Sequence, residues 1–199
     1  MSPLSNAYLT VEQLDQMEPF YPLHARVCES CFLVQVPELQ TPEHIFSDYA
    51  YFSSYSESWL KHCHAYTQDM MKLYKLNSQS LVVEVASNDG YLLQYFKQEG
   101  IPILGIEPAR NVAEVALYAG IPTLTEFVGA QTAQKIADGG SQADLLIANN
   151  VFGHVPNIND FVAGLKILLK STGVLTLEFP HLLQLMKKNE FDTIYHEHF

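Results

Sequence analysis

Leu81-Val-Val-Glu-Val-Ala-Ser-Asn-Asp-Gly-Tyr-Leu-Leu93 is an apolar run, then a small polar loop, then the start of a second apolar segment. The run over Leu81–Ala86 has the length and β-branched content of a buried strand, and the spacing after Gly90 predicts a helix to Gln98. A strand that turns straight into a helix leaves backbone N–H groups and a helix N-terminus facing whatever binds at the turn. The loop lacks the G-x-G-x-x-G of a dinucleotide site.

Outward from this stretch the same alternation repeats. Strands are expected at Ile103–Ile106, Pro122–Leu124, Leu145–Asn149 and Val174–Glu178. Helices are expected at Arg110–Ala119, Ala130–Ala137, Asn159–Lys170 and Pro180–Lys188, with Gly120 and the Gly139-Gly140 pair as C-terminal stops. Strand and helix alternating in this way predict an α/β fold, a parallel sheet with helices on both faces. Such sheets bind ligands beyond the carboxyl ends of their strands. Residues 1–58 read differently, as a small irregular lobe rich in proline and aromatics. A helix follows from about Ser58 to Lys75, on the spacing of Trp59, Tyr66, Met70 and Leu73.

The bulk numbers limit the function classes. The 199 residues are 48% hydrophobic with net charge −11, so the chain can bury a core and presents no basic footprint for a nucleic-acid polymer. No apolar segment exceeds strand length, so no membrane span is expected. Three cysteines and no export signal at Met1-Ser-Pro-Leu-Ser predict a reducing, cytoplasmic setting.

Several clusters are candidates for chemistry. Glu107, at the end of the second sheet strand, stands about 20 residues past the loop, where a carboxylate accepts hydrogen bonds from ribose hydroxyls. Asn149-Asn-Val-Phe-Gly-His154 follows the fourth strand. It offers a polar pair to a cofactor and an imidazole to a substrate, or else a histidine that merely caps a turn. In Tyr195-His-Glu-His-Phe199, two histidines beside a glutamate suit proton abstraction next to a carbonyl or metal binding; a polar tail is the alternative. Tyr49-Ala-Tyr-Phe-Ser-Ser-Tyr reads first as packing between lobe and main domain, second as a lid with Tyr49 or Tyr51 donating a hydrogen bond. Cys28-Glu-Ser-Cys31 is one knuckle of a zinc ribbon, but structural zinc takes four ligands, so two reduced cysteines are the plainer reading. His62 and His64 read as exposed, since i and i+2 do not share a helical face.

Read as acidic-x-small-x-small-x-Gly, the loop residues Glu84, Ala86, Asn88 and Gly90 resemble the cofactor loop of class I S-adenosylmethionine methyltransferases. Ala86 and Asn88 stand where glycines are commonest. The resemblance makes Ser87, Asp89, Pro108, Asn149, Asn150 and Val151 cofactor-binding candidates beside Glu84, Ala86, Asn88, Gly90 and Glu107. All the motifs together, from Val27-Cys-Glu-Ser-Cys through Gly105-Ile-Glu-Pro-Ala to the terminal motif, resemble one family in order and spread. That family is the sugar C-methyltransferases of deoxysugar biosynthesis, which act on nucleotide-linked 4-keto sugars. The resemblance implies a partial zinc-binding lobe over 1–58 and a methyltransferase domain over 59–199. It implies that His198 is the base that removes the proton beside the ketone. Tyr195 and Glu197 position the sugar, and His154 and Tyr49 line the pocket. The cofactor implied is S-adenosylmethionine, with zinc at most as a half-site at Cys28 and Cys31.

The chain departs from that pattern at both ends. The family's first Cys-x-x-Cys lies upstream of Met1. Its C-terminal domain, and the antiparallel strand pair that completes the sheet, lie beyond Phe199. The expectation is therefore a fragment with an open sheet edge, and two alternatives follow from it. One is a non-catalytic subunit that needs the missing half as a partner chain. The other keeps the cofactor but methylates oxygen or nitrogen of another small molecule.

Overall fold

The computed structural model describes residues 1–190 and 194–199. The N-terminal lobe is irregular because its prolines and aromatics give no sustained period. Its regular elements are a hairpin of Arg26–Val27 (β1) and Val34–Gln35 (β2), and the short helix Pro42–Phe46 (α1). That helix is absent from the sequence reading. It is one turn long, set by Pro42 in its first turn and by Thr41, whose hydroxyl accepts from the His44 N–H. Residues Glu57–Tyr74 form the long helix α2, with Ser56 as N-cap and Lys75 left-handed at its end.

The sheet follows as expected. Its strands are Val82–Val85 (β3), Ile103–Ile106 (β4), Thr123–Leu124 (β5), Ala143–Asn149 (β6) and Leu169–Glu178 (β7). They run parallel in the order β5-β4-β3-β6-β7. The helices between them are Leu93–Gln98 (α3), Arg110–Tyr118 (α4), Ala130–Asp138 (α5) and Ile158–Leu168 (α6), and Leu182–Lys188 (α7) follows β7. Strand β3 is central and buried on both faces, which explains its unbroken apolar run. Its side chains alternate between two cores. Val82 joins Cys63, Leu92, Phe96 and Ala116 under α2, α3 and α4, whereas Val83 and Val85 join Ile136, Phe161 and Leu165 under α5 and α6.

The largest shift in boundaries is at the junction of α6 and β7. Helix α6 ends at Leu168 rather than Lys170, and β7 starts at once, five residues before the predicted Val174. Its pairing with β6 slips between Ala143 and Leu145, where Lys170 reaches back to Asp144 at 2.7 Å. That ion pair and bulge hold an extended stretch that local helical period alone reads as helix. Strand β7 pairs with β6 on one side, and no strand among the described residues pairs with its other side. No helix among them is long and apolar enough to cross a membrane.

Candidate active site

A cavity of about 1200 Å³ opens beyond the carboxyl ends of the strands. Ala86 and Asn88 line it from β3, Glu107 and Pro108 from β4, and Asn149, Asn150 and Val151 from β6. The N-terminal lobe and the Tyr195–Phe199 segment close the opposite wall.

The loop after β3 owes its shape to three left-handed residues in alternation: Ala86 at φ +57°, Asn88 at +50° and Gly90 at +80°. The glycine-loop conformation is thus present without its usual glycines. Asparagine tolerates this region; alanine takes it at a cost of about 1 kcal/mol. At Gly90 the positive φ strains any L side chain, and a Cβ would also run into the side chain of Ile121. Asn88 Oδ1 accepts from the Ser53 N–H at 2.9 Å, and its Nδ2 donates to the Tyr51 carbonyl at 3.0 Å. Asp89 accepts from the Ser54 N–H and hydroxyl. The Tyr49–Tyr55 cluster is therefore strapped to the loop, while Tyr49 and Tyr51 still face the cavity.

Four of the cofactor-binding candidates lie away from this cavity. Glu84, Ser87, Asp89 and Gly90 are not in the cavity lining. Strand alternation turns Glu84 toward the α2–α3 core, where it is fully buried and desolvation pushes its carboxyl well above the usual range. It sits beneath the loop, beside Tyr91 and Cys63. Ser87 is fully buried, and Asp89 and Gly90 border a smaller cleft of about 430 Å³.

Glu107 does face the cavity. Its carboxylate accepts from the Asn88 N–H at 2.9 Å and the Ala109 N–H at 2.8 Å. Burial pushes it up to about 6, against the pull of those two bonds. A carboxylate has about four lone-pair sites, so two remain for ribose hydroxyls. The residues present thus fit an S-adenosyl cofactor at the loop, at Glu107 and at the Asn149–Val151 turn. Glu126 and Phe127, at the end of β5, also line the cavity and were missed in the sequence. The rule that ligands sit beyond strand ends would have found them.

The five residues expected to carry the chemistry come together from three parts of the chain. The Tyr49 hydroxyl donates to Glu197 Oε2 at 3.0 Å. His154 Nδ1 lies 2.8 Å from the Glu197 carbonyl oxygen. The His198 ring stands 4.7 Å from that of His154 and 4.4 Å from that of Tyr195, centroid to centroid. The terminal segment is anchored by the Phe199 N–H on the Gly153 carbonyl, and by Asn6 Nδ2 on Glu197 Oε1 at 3.0 Å. Glu197 is 1% exposed. Burial raises its carboxyl, and hydrogen bonds from Tyr49, Asn6 and Ser5 pull it back. Burial and the neighbouring Glu197 carboxylate hold the Tyr49 phenol well above its ordinary value.

The cysteine lobe gives a different picture. The Cys28–Leu33 turn is tight, with the Phe32 N–H on the Cys28 carbonyl and Phe32 left-handed at φ +63°. N–H groups of Cys31 and Ser30 aimed at the Cys28 sulfur hold its thiol below the usual range. Among the described residues, however, no group of three or more His, Cys, Asp or Glu side chains is placed to hold a metal ion. Cys63 is buried in the α2–α3 core, and His62 pairs with Glu178 at 2.9 Å. Two thiols do not fit a four-ligand zinc centre, and no step of the chemistry is drawn through one.

Residues 1–46 match the model of a putative zinc binding domain, and residues 56–199 match that of a methyltransferase domain. The chain is 34% identical over 198 residues to the C-methyltransferase NovU of Streptomyces niveus, covering all of this chain and 47% of that protein. It spans about half the length of the curated relatives it matches. Among solved structures, the PH0226 protein of Pyrococcus horikoshii superimposes with a TM-score of 0.58 at 16% identity, over 75% of this chain and 70% of that one. A SAM-dependent methyltransferase of Archaeoglobus fulgidus gives 0.56 at 14% identity, over 70% and 61%. Both likenesses are of fold.

Proposed function

The chain belongs to the methyltransferase-domain family, with the class I Rossmann-like fold of S-adenosylmethionine-dependent enzymes, and on that footing we propose that it takes part in methylating the carbon beside a ketone of a nucleotide-linked sugar. One observation carries the reading. A Tyr–Glu pair and two imidazoles stand in the same cavity as the loop and Glu107.

When bound, S-adenosylmethionine would supply an electrophilic methyl group on a sulfonium. The chain's own residues do the rest. Glu107 would hold the ribose hydroxyls, and Ala86, Asn88 and the Asn149–Val151 turn would line the cofactor's part of the cavity. His198 removes the proton beside the ketone. Its neighbour His154 is held neutral by burial and by His198 itself, so a second cation does not oppose that proton. Tyr195 and the Glu197–Tyr49 pair position the sugar. The lobe and the terminal segment keep bulk water from the enolate.

Charge fits this division. Glu38, Glu43, Glu107, Glu126, Asp160 and Glu197 line the cavity, and no Lys or Arg is among the described lining residues. The cavity suits a sulfonium and a neutral ketone. The nucleotide's phosphates belong outside it in this reading. A second reading, that turnover needs further polypeptide, is favoured by the side of β7 that no strand among the described residues pairs and by the 47% coverage of the Streptomyces protein. The cytoplasm is the setting proposed for either.

The test is hydrogen exchange from solvent D₂O into a 4-keto nucleotide sugar, with S-adenosylhomocysteine in place of the methyl donor. Exchange at the carbon beside the ketone, lost in His198→Ala, is the expected result. No exchange, together with no calorimetric heat at millimolar S-adenosylhomocysteine, would sink the proposal.

A further inference from the structure

Glu197 is held from two directions. Tyr49 takes one carboxylate oxygen and Asn6 the other, across 148 and 191 residues of chain. Asn6 is an unusual donor. Its backbone is left-handed at φ +57°, and its side chain reaches from the surface to a carboxylate that is 1% exposed.

The segment that carries Asn6 is fixed on its own account. Ser2 and Tyr21 exchange both backbone hydrogen bonds at 2.8 Å. The Tyr21 ring then meets His196 edge-on, at 6.0 Å and 73°. His196 is 4% exposed. The start of the lobe thus grips the terminal motif at two successive residues, His196 through Tyr21 and Glu197 through Asn6. Ser5 and Asn6 also border the cavity.

The residue type fits the task. Asparagine accepts φ near +57° better than other side chains, and its amide offers a neutral N–H donor. An aspartate of the same shape would set two carboxylates against each other. A lysine would add a cation to a cavity that otherwise has none among its described lining residues.

We propose that Asn6 is a positioning residue of the candidate active site: its amide holds the Glu197 carboxylate in the orientation that leaves the second oxygen to Tyr49. The inference rests on the reading of Glu197 as part of the acceptor site. It brings the N-terminal lobe into the catalytic arrangement as a supplier of a hydrogen bond, with no role for zinc. Glu197 in turn orients His154 through its backbone carbonyl, so the grip of Asn6 extends to the imidazole.

The test is a titration of the Glu197 side-chain carboxyl by ¹³C NMR on the full chain, with the resonance assigned by its loss in Glu197→Gln. Tyr49, Tyr195, His154 and His198 surround the group, and all stay in place in the variants. Asn6→Gly is the first variant, because glycine takes φ +57° without cost and only the amide is lost. Its midpoint is expected to rise by roughly half to one pH unit, with the melting temperature kept within a few degrees. Asn6→Asp is the second variant and is expected to raise the midpoint further. It decides the matter alone if Asn6→Gly does not fold. An unchanged midpoint in the folded variants overturns the inference. In a methyl-transfer assay, Asn6→Gly lowers kcat and leaves KM for the methyl donor as it was. If the unaltered chain neither exchanges the proton beside the ketone nor binds S-adenosylhomocysteine, the proposed function fails while the titration still decides the role of Asn6.

Discussion

His154 Nδ1 lies 2.8 Å from the backbone carbonyl oxygen of Glu197, and a carbonyl can only accept. Nδ1 therefore carries the hydrogen, and Nε2 is the basic nitrogen. Burial, then the nearby His198, push this imidazole down to about 4. Its folded value is below the usual 6.5, so the unfolded chain binds the extra proton first as pH falls. The stability that His154 contributes is complete above pH 6.5 and is lost between 6.5 and about 4, a loss of about 3 kcal/mol. Urea unfolding of the chain and of His154→Gln from pH 4 to 8 checks this. The difference between the two curves should slope only in that window.

Glu107 has the opposite sign. Its folded value, about 6, is above that of a free carboxyl, so at neutral pH its charge costs stability and serves binding instead. S-adenosylhomocysteine affinity should rise as pH climbs through 6, and Glu107→Ala should weaken it by about ten- to a hundredfold. Calorimetry at pH 5 and pH 8 measures both.

The loop after β3 gives two substitutions with opposite outcomes. Gly90→Ala places a methyl group at φ +80°, against Ile121, and should cost about 2 kcal/mol or more. Ala86→Gly relieves a left-handed alanine at φ +57° and should be neutral or stabilising by up to about 1 kcal/mol. Thermal unfolding of the two variants reads the signs directly.

That loop also marks what a sequence can disclose. The strand, the turn and the following helix are local, so period and turn residues expose them. The clusters at Glu107, Asn149–His154 and Tyr195–Phe199, which the fold gathers around one cavity, stood out as candidates by their place at strand ends or by their residue types. Which side of β3 carries Glu84 follows from alternation alone, and attention to its period would have placed it in the core. The bond from Asn6 to Glu197 leaves no such trace, because two residues 191 positions apart share no period. The early start of β7 was hidden for a related reason: the Lys170–Asp144 contact that favours it is tertiary.

The cysteines should differ sharply in reactivity. Cys63 is 1% exposed, and burial pushes its thiol up to about 12. The Cys28 thiol is held low by backbone N–H groups and is reachable from solvent. Since the thiolate is the nucleophile, iodoacetamide at pH 7.5 should label Cys28 first and leave Cys63 unmodified until the chain unfolds. Peptide mass spectrometry over a time course distinguishes them.

Tyr49→Phe probes the Tyr49–Glu197 pair with little change in shape. The ring still packs edge-on against Phe46 at 5.8 Å, but Glu197 Oε2 loses its donor in a buried place. The expected cost is about 1–3 kcal/mol, the penalty for an orphaned buried acceptor. The carboxyl should rise further, because the hydrogen bond lost is the largest of those that hold it down. With Glu197 protonated over a wider range, exchange of the proton beside the ketone should slow, most of all below neutral pH. A rate–pH profile of that exchange reads the effect: its acid limb moves to higher pH in Tyr49→Phe if the pair is part of the site. An identical profile in both proteins would remove Tyr49 from it.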